Sequence, residues 1–321
     1  MLRFISTYFG PDIPFRWLRG NHHGHSTVSD GLSEPLEIVR AYEAEGYHYF
    51  ALSKHDRLLR DEDLQPHTSM CILPAIEITS RFNHTLMFLG ASKELPARKL
   101  TAREIMEQVH ASGGLCILCH PNWRPVSVQW QSSNTDAFLE TLEGIHGIEI
   151  YTGVIERLRG EAKATDCWDR LLSKGWKVFG HATDDSHSSD DYFVAWNYVQ
   201  WPQDKMPTSR SIIAALMAGR FFASTGVNIF CVGVSDDGRC VILESDADEI
   251  RWIVRDGIVI KKVKGGKSSL AMDEFIQLLD TPYARFARVD EPKQALYLRA
   301  ECLGRGSAAA WTQPFWISNL S

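Results

Sequence analysis

Three histidines occur within four residues in the segment GNHHGHSTVSDG, which runs from Gly20 to Gly31. His23 and His25 are two positions apart, so on an extended strand their side chains leave the same face, while His22 points to the opposite face. Two neighbouring imidazoles at the end of a strand suit a transition metal ion. The spacing therefore predicts one wall of a metal site, to which His22 does not contribute.

Further His and carboxylate side chains occur where short apolar runs end. They are Asp30, His55, Glu77, His84, His120, Asp185 and His187. Glu77 gives the clearest signal, because an ionised carboxylate inside the apolar run LPAIEITS is unfavourable unless it is paired or binds a metal ion. Each residue alone has an ordinary structural explanation, but together they predict a metal centre. Mixed His and carboxylate ligands without Cys suit Zn, Mn or Fe, and the sequence does not choose among them.

The elements that would position these residues alternate between strands and helices up to about residue 225. TAREIMEQVHASGG, for example, opens with a capping box formed by Thr101 and Glu104 and closes on paired glycines. Such alternation predicts a largely parallel sheet. Closure into a barrel would bring the ends of all the strands to one rim, whereas an open sheet would spread them along a line. The candidate ligands therefore favour a barrel.

After about Gly226 the sequence changes to short runs rich in Val, Ile and aromatic residues, separated by Asp-Gly and Gly-Gly turns. This pattern predicts a small antiparallel β-sandwich. We therefore expect two closely packed domains, a barrel over residues 1–226 and a sandwich over residues 227–321.

Composition excludes several classes of partner. A net charge of −6 provides no electrostatic footprint for a nucleic-acid backbone. We find no apolar run of the roughly 18–20 residues that a membrane-spanning helix needs, and the N-terminal segment does not read as a signal peptide. The seven cysteines are scattered and fit buried free thiols in a reducing compartment. We expect a cytoplasmic protein with neither a nucleic-acid polymer nor a membrane as partner, and its oligomeric state stays open.

Taken in chain order, these segments resemble the motifs of the polymerase and histidinol phosphatase (PHP) superfamily. HHGHSTVSDG is similar to its first motif, H-x-H-S-x-x-S-D-G, and LSKHD, AIEIT, NHTLMFLG, CHPN and TDDSH resemble the motifs that follow. The resemblance covers roughly residues 18–226 and implies a distorted (β/α)7 TIM-like barrel. The most similar subgroup carries a C-terminal β-sandwich. Its members include metal-dependent phosphoesterases and, more distantly, a carbamate-hydrolysing carboxylesterase.

The resemblance also implies ligands for two or three divalent ions. The implied sets are His23, His25, Glu77 and Asp185 for one ion, Glu77, His84 and His120 for a second, and Asp30, His55 and His187 for a third. Lys54 departs from the family pattern, which usually has an Asp before the His of the LSKHD motif. Lys54 either reaches an anionic substrate or is simply exposed.

The predicted function is hydrolysis of a small phosphorylated metabolite by attack of metal-bound hydroxide on a phosphate ester. Arg57 and Arg124 follow proposed ligands and could bind phosphate oxygens, as could Lys54, and Trp123 could form a wall of the pocket. A carboxylesterase or carbamate hydrolase with the same centre is the alternative, and it is favoured if both arginines point away. A binding module with purely structural metal ions is the third possibility.

Overall fold

The computed structural model describes residues 2–10, 12–59, 61–123, 136–282, 284 and 297–319. Over these residues the protein has a mixed α/β fold in which strands predominate. The strands are β1 (Leu2–Ile5), β2 (Phe15–Asn21), β3 (Tyr49–Phe50), β4 (Ser53–His55), β5 (Cys71–Ile72), β6 (Ala75–Thr79), β7 (Thr85–Leu89), β8 (Leu115–Leu118), β9 (Gly147–Thr152), β10 (Phe179–Thr183), β11 (Trp196–Pro202), β12 (Phe221–Ser224), β13 (Ile229–Val234), β14 (Cys240–Ser245), β15 (Glu249–Val254), β16 (Ile258–Lys264), β17 (Lys267–Ala271), β18 (Tyr297–Leu303), β19 (Ala309–Thr312) and β20 (Phe315–Asn319). The helices are α1 (Pro35–Ala44), α2 (Ala102–Ala111), α3 (Asp136–Glu140), α4 (Gly153–Arg157), α5 (Thr165–Ser173), α6 (Ser209–Met217) and α7 (Met272–Leu279).

Local sequence signals explain several of these elements. Helix α2 begins at the expected capping box, in which the Thr101 hydroxyl accepts a hydrogen bond from the Glu104 backbone N–H and the Glu104 carboxylate accepts one from the Thr101 backbone N–H. Its buried face, which includes Ile105 and Val109, packs in the core that also contains residues of β7 and β8. None of the helices that the structure describes combines the length and apolar composition needed to cross a membrane.

A six-stranded sheet in the order β10-β9-β8-β7-β6-β4 forms the scaffold of the candidate site. Strand β7 runs antiparallel to both of its neighbours, and the other pairs are parallel. The reversal follows from the short connection between β6 and β7, because joining parallel strands needs a longer crossover. The pairings among the described strands do not close the sheet, so the (β/α)7 barrel is not confirmed.

The segment after β2 joins the two edges of this sheet. The backbone N–H of His25 donates to the Ser186 carbonyl at 2.8 Å, just beyond β10. The Gly24 carbonyl accepts from the backbone N–H of Ser53, the first residue of β4, at 2.9 Å. The histidine segment therefore lies between the ends of β4 and β10, where residues from distant parts of the chain meet.

An eleven-stranded sheet combines strands from both halves of the chain. Strand β1 pairs with β20, and β12 pairs with β19, in both cases antiparallel. The strands described after residue 226 are paired antiparallel, as expected, but most of them share this sheet with β2, β11 and β12. The other three, β13, β14 and β17, form a separate sheet. A β-sandwich is therefore not confirmed, and the domain boundary at residue 226 stays a prediction.

Candidate metal centre

Four buried side chains from three separate segments of the chain converge at one point. His23 and His25 follow β2, Glu77 lies within β6, and Asp185 follows β10. The Nε2 atoms of both histidines lie 3.1 Å from Asp185 Oδ1, and they lie 3.4 and 3.3 Å from Glu77 Oε2. We call these four residues the inner group. It reproduces the first predicted ligand set, with donor atoms within 4.8 Å of one another.

A second cluster, the outer group, contains His25, Asp30, His55 and His187. Asp30 Oδ2 lies 3.2 Å from His55 Nε2 and 3.4 Å from His187 Nε2, and Asp30 Oδ1 lies 3.4 Å from His25 Nδ1. The Asp30 side chain is 52% exposed. The outer group therefore contains the predicted third set, and His25 offers one ring nitrogen to each group.

The second predicted ligand set is only partly assembled. His120 Nε2 lies 3.1 Å from Glu77 Oε1 and 3.2 Å from Thr85 Oγ1. The His84 ring instead stacks on Phe138, with ring centroids 3.5 Å apart, and belongs to neither group. Strand alternation accounts for this difference, since Thr85 lines the cavity at the centre and its neighbour His84 faces elsewhere. The structure thus brings eight of the nine predicted ligands together and does not bring His84.

Two of the converging residues have backbone angles that are uncommon for residues other than Gly. His120 has a φ of 27° and Asp185 a φ of 50°. Such conformations are strained and are found preferentially at functional sites, where surrounding contacts maintain them. The surrounding structure therefore keeps His120 and Asp185 in backbone conformations that are locally unfavourable.

Glu149, in the middle of β9, is a buried residue of the site that sequence reasoning missed. Its Oε1 atom lies 2.6 Å from His23 Nδ1, and its Oε2 atom accepts a hydrogen bond from the His120 backbone N–H at 2.7 Å. Glu149 thereby fixes the His23 ring with Nε2 directed to the inner group. A usable signal was present, because GIEIY places a carboxylate in an apolar strand just as AIEIT does around Glu77.

Asp184 is a second buried carboxylate that sequence reasoning passed over in favour of its neighbour Asp185. It accepts hydrogen bonds from the backbone N–H groups of Phe193, Val194 and Ala195 at 2.8–3.0 Å, and from the Tyr42 hydroxyl at 2.6 Å. Burial raises the pKa of Asp184 to about 7. These hydrogen bonds fix the conformation of the segment after β10, which carries the ligand candidates Asp185 and His187.

Several buried ligand atoms make no hydrogen bond within the described part of the chain. They include His23 Nε2, both ring nitrogens of His25, Glu77 Oε2 and Asp185 Oδ1. Such atoms are costly to bury without a partner. A cation held between them would satisfy their lone pairs, so the donor set fits a divalent metal ion.

The charge of the site also favours cations. Burial lowers the pKa of His55, but the negative charges of Glu77 and Asp30 outweigh this effect and raise the pKa to about 9. Burial likewise opposes protonation of His187, but the hydrogen bond to Asp30 and the charge of Asp185 raise its pKa to about 9. A metal ion would take the place of these protons, because imidazole binds metal in its neutral form.

A cavity of about 260 Å³ opens onto the centre. Six ligand candidates line it, namely Asp30, His55, Glu77, His120, Asp185 and His187. Trp123, predicted as a pocket wall, also lines it and packs edge-to-face on His120 with ring centroids 5.2 Å apart.

The predicted cationic residues are placed differently. Arg57 is exposed and is not among the residues that line the cavity, because the chain turns at Asp56, which has a φ of 58°. Lys54 is half-buried on β4 and does not line the cavity either. Arg124 lies outside the described residues.

Arg157, at the end of α4, lines the cavity instead. Its guanidinium donates to both carboxylate oxygens of Asp191, which also accepts from the His187 backbone N–H at 3.0 Å. Arg157 follows the strand of Glu149, which was not among the predicted ligands, so the criterion that selected Arg57 did not apply to it. Packing against Asp191, which the sequence does not reveal, decides which of the two reaches the cavity.

No protein-family model matches the chain, and no curated protein matches it. Solved structures do resemble it. A two-domain protein from Bacteroides vulgatus, assigned a PHP-like metal-dependent phosphoesterase domain, shares 18% identity, with 83% of this chain and 89% of that one covered and a TM-score of 0.49. The chain is similar to PHP-like phosphoesterases.

Two further structures cover less of this chain. An amidohydrolase from Chromobacterium violaceum shares 14% identity over 63% of this chain and 96% of its own, with a TM-score of 0.41. A protein from Bifidobacterium adolescentis, assigned as a metal-dependent phosphoesterase, shares 12% identity. The match covers 62% of this chain and 96% of that one, with a TM-score of 0.40. These likenesses are distant, so a function for the centre has to be argued from its own geometry.

Proposed function

We propose that the protein is a metal-dependent hydrolase of the PHP type that cleaves a phosphate ester of a small metabolite. The inner group supports this proposal most directly. Four buried side chains place donor atoms within 4.8 Å of one another, and several of these atoms make no hydrogen bond within the described residues. A cluster of this composition is expensive to bury unless it binds a cation.

Different residues would bind different ions. The inner group would hold one ion and the outer group another, while Glu77 and His120 could contribute to a third. Bound divalent ions supply a hydroxide nucleophile at neutral pH and neutralise the negative charge of the transition state. Zn, Mn and Fe all suit a His and carboxylate donor set.

The remaining polar residues orient the ligands and the substrate. Glu149 fixes the ring of His23, and Asp191 joins Arg157 to the backbone at His187. Arg157 places a guanidinium in the cavity wall, where it can donate to an oxygen of a bound phosphate. This cation favours a phosphate ester as the substrate.

Hydrolysis of a carboxylic ester or carbamate is the second candidate. It gains support from the exposure of Arg57 outside the cavity, which removes one predicted phosphate contact. A purely structural role of the metal ions is less compatible with the outer group, because structural sites are closed whereas Asp30 is half exposed and lines a cavity.

Metal analysis combined with a substrate screen tests the proposal. We expect reconstituted protein to retain at least one transition metal ion per chain and to hydrolyse p-nitrophenyl phosphate or bis-p-nitrophenyl phosphate. His25→Ala should lose metal and activity together, because His25 contributes to both groups. Fewer than one ion per chain, or full activity of His25→Ala, would contradict the proposal. Hydrolysis of p-nitrophenyl acetate alone would favour the second candidate.

A further inference from the structure

One wall of the cavity is apolar. Trp123, Val154, Ile155 and Leu158 line it together with the metal-ligand candidates. Val154 and Ile155 are buried and back the wall, whereas Trp123 is only partly buried and Leu158 is 47% exposed. A large apolar side chain that stays exposed at a cavity, as Leu158 does, is typical of a ligand-binding surface.

Backbone hydrogen bonds hold this wall in place. The Val154 N–H donates to the Asp184 carbonyl at 2.9 Å, and the Gly160 N–H donates to the Ile155 carbonyl at 2.8 Å. A Cβ atom at Gly160 would lie 2.7 Å from Ile155 Cγ2 and 3.3 Å from Trp123 Cδ1, so only glycine allows this close approach. The apolar wall is therefore a fixed part of the fold. The segment after β8 contributes Trp123, and the segment after β9 contributes Val154, Ile155 and Leu158.

The described polar residues that line the cavity are the metal-ligand candidates, Asn83, Thr85 and Arg157. Among the described residues that line the cavity, Arg157 is the one Arg or Lys, and the function proposed above assigns it to the phosphate. A leaving group with several hydroxyls or charges would lose hydration against the apolar surfaces of Trp123 and Leu158, which offer little hydrogen bonding in return. An apolar leaving group would instead bury its surface there.

We propose that the scissile ester joins its phosphoryl or acyl group to an uncharged alkyl or aryl alcohol, whose hydrocarbon part packs on Trp123 and Leu158. This inference rests on the hydrolase function proposed above. Water is the co-reactant: its oxygen forms the new bond to phosphorus or carbon, the bond to the alcohol oxygen breaks, and the alcohol leaves with a proton. The apolar wall thus determines which alcohol is accepted, and the metal centre would bind the phosphoryl or acyl group.

Matched esters of two primary alcohols test this inference. Benzyl phosphate is compared with glycerol 1-phosphate, and benzyl acetate with glycerol 1-acetate, on the metal-loaded protein. For the ester class that is hydrolysed, we expect kcat/KM to favour the benzyl ester by roughly tenfold or more, as for other apolar pockets. Calorimetry supplies a second readout, in which benzylphosphonate should bind more tightly than methylphosphonate.

Two leucine variants show whether the wall causes the preference. Leu158→Gln should lower the benzyl preference at least threefold while the bound metal stays unchanged. Leu32→Gln is the matched control, because Leu32 is 77% exposed near Asp30 but does not line the cavity. Equal rates for the two alcohols, or an unchanged preference in Leu158→Gln, would overturn this inference alone. Hydrolysis of none of the four esters by protein that does hydrolyse a p-nitrophenyl ester would also overturn this inference alone, whereas inactivity on every ester would overturn the proposed function as well.

Discussion

The inner and outer groups share His25 but differ in how far water reaches them. All four side chains of the inner group are buried, and atoms of each make no hydrogen bond within the described residues. In the outer group Asp30 is half exposed, and His55 and His187 are partly exposed. Glu77 and Asp185 line the cavity as well, so ions in both groups would border it, but one in the outer group would be more open to water. We therefore expect tighter metal binding at the inner group and more contact with substrate at the outer group.

Glu77 connects the two groups, so its substitution should have the largest effect. Its Oε2 atom lies 3.3 Å from His25 Nε2 and 3.1 Å from His55 Nδ1, while Oε1 faces His120. Glu77→Gln keeps the shape and removes the charge. We expect metal affinity at both groups to fall by more than the roughly 100-fold that loss of an indirect partner costs. Elemental analysis and kcat would measure the loss, and retention of a full set of ions would contradict the bridging role.

Asp30→Asn should separate the groups. Asp30 contacts the other three members of the outer group, and its exposed side chain leaves the core intact. We expect bound metal to fall by about one ion per chain, with the inner ion retained and hydrolysis strongly reduced. Elemental analysis after reconstitution gives the stoichiometry, and the melting temperature provides the control for folding. Loss of every ion would show that the two groups bind metal as one unit.

Glu149→Gln should act mainly on the inner group, through His23, and also removes the charge that the His120 backbone N–H contacts. Removing the charge beside His23 Nδ1 weakens the orientation and basicity of the ring, an effect that typically lowers metal affinity by 10–100-fold. Competition with a chelator would measure this change in metal affinity. Glu301→Gln is the matched control, since Glu301 is also buried but pairs with Lys163 and Trp311. Equal losses of affinity in the two variants would indicate a general effect of a buried charge.

The candidate site could be predicted largely because its signals are local. A carboxylate within an apolar strand and histidines two positions apart indicate buried ligands without any knowledge of the fold. Glu149 carried the same signal as Glu77 and was recoverable. Arg157 was not, because the choice between it and Arg57 depends on Asp191 and on the turn at Asp56, which are contacts between distant segments.

The fold was harder to predict from the sequence than the site, because strand pairing depends on residues that are distant in the chain. The strand-like runs were recognisable, but nothing in NHTLMFLG states that β7 runs against both neighbours. The pairing of β1 with β20 joins residues from opposite ends of the chain, for which the sequence contains no local signal. The alternation of strands and helices therefore predicted the fold class, while closure of the sheet and the division at residue 226 depended on long-range contacts.

His84 gives the smallest expected effect and tests the boundary of the inner group. The sequence resemblance makes it a ligand beside His120, whereas the structure stacks its ring on Phe138. If the stacked position is the functional one, His84→Gln should retain all bound metal and lose only some thermal stability, because it exchanges a ring contact for a flexible amide. His120→Gln is the comparison, since His120 Nε2 faces Glu77 and its loss should reduce metal binding. Equal metal loss in both variants would place His84 at the centre and enlarge the buried cluster to five residues or more.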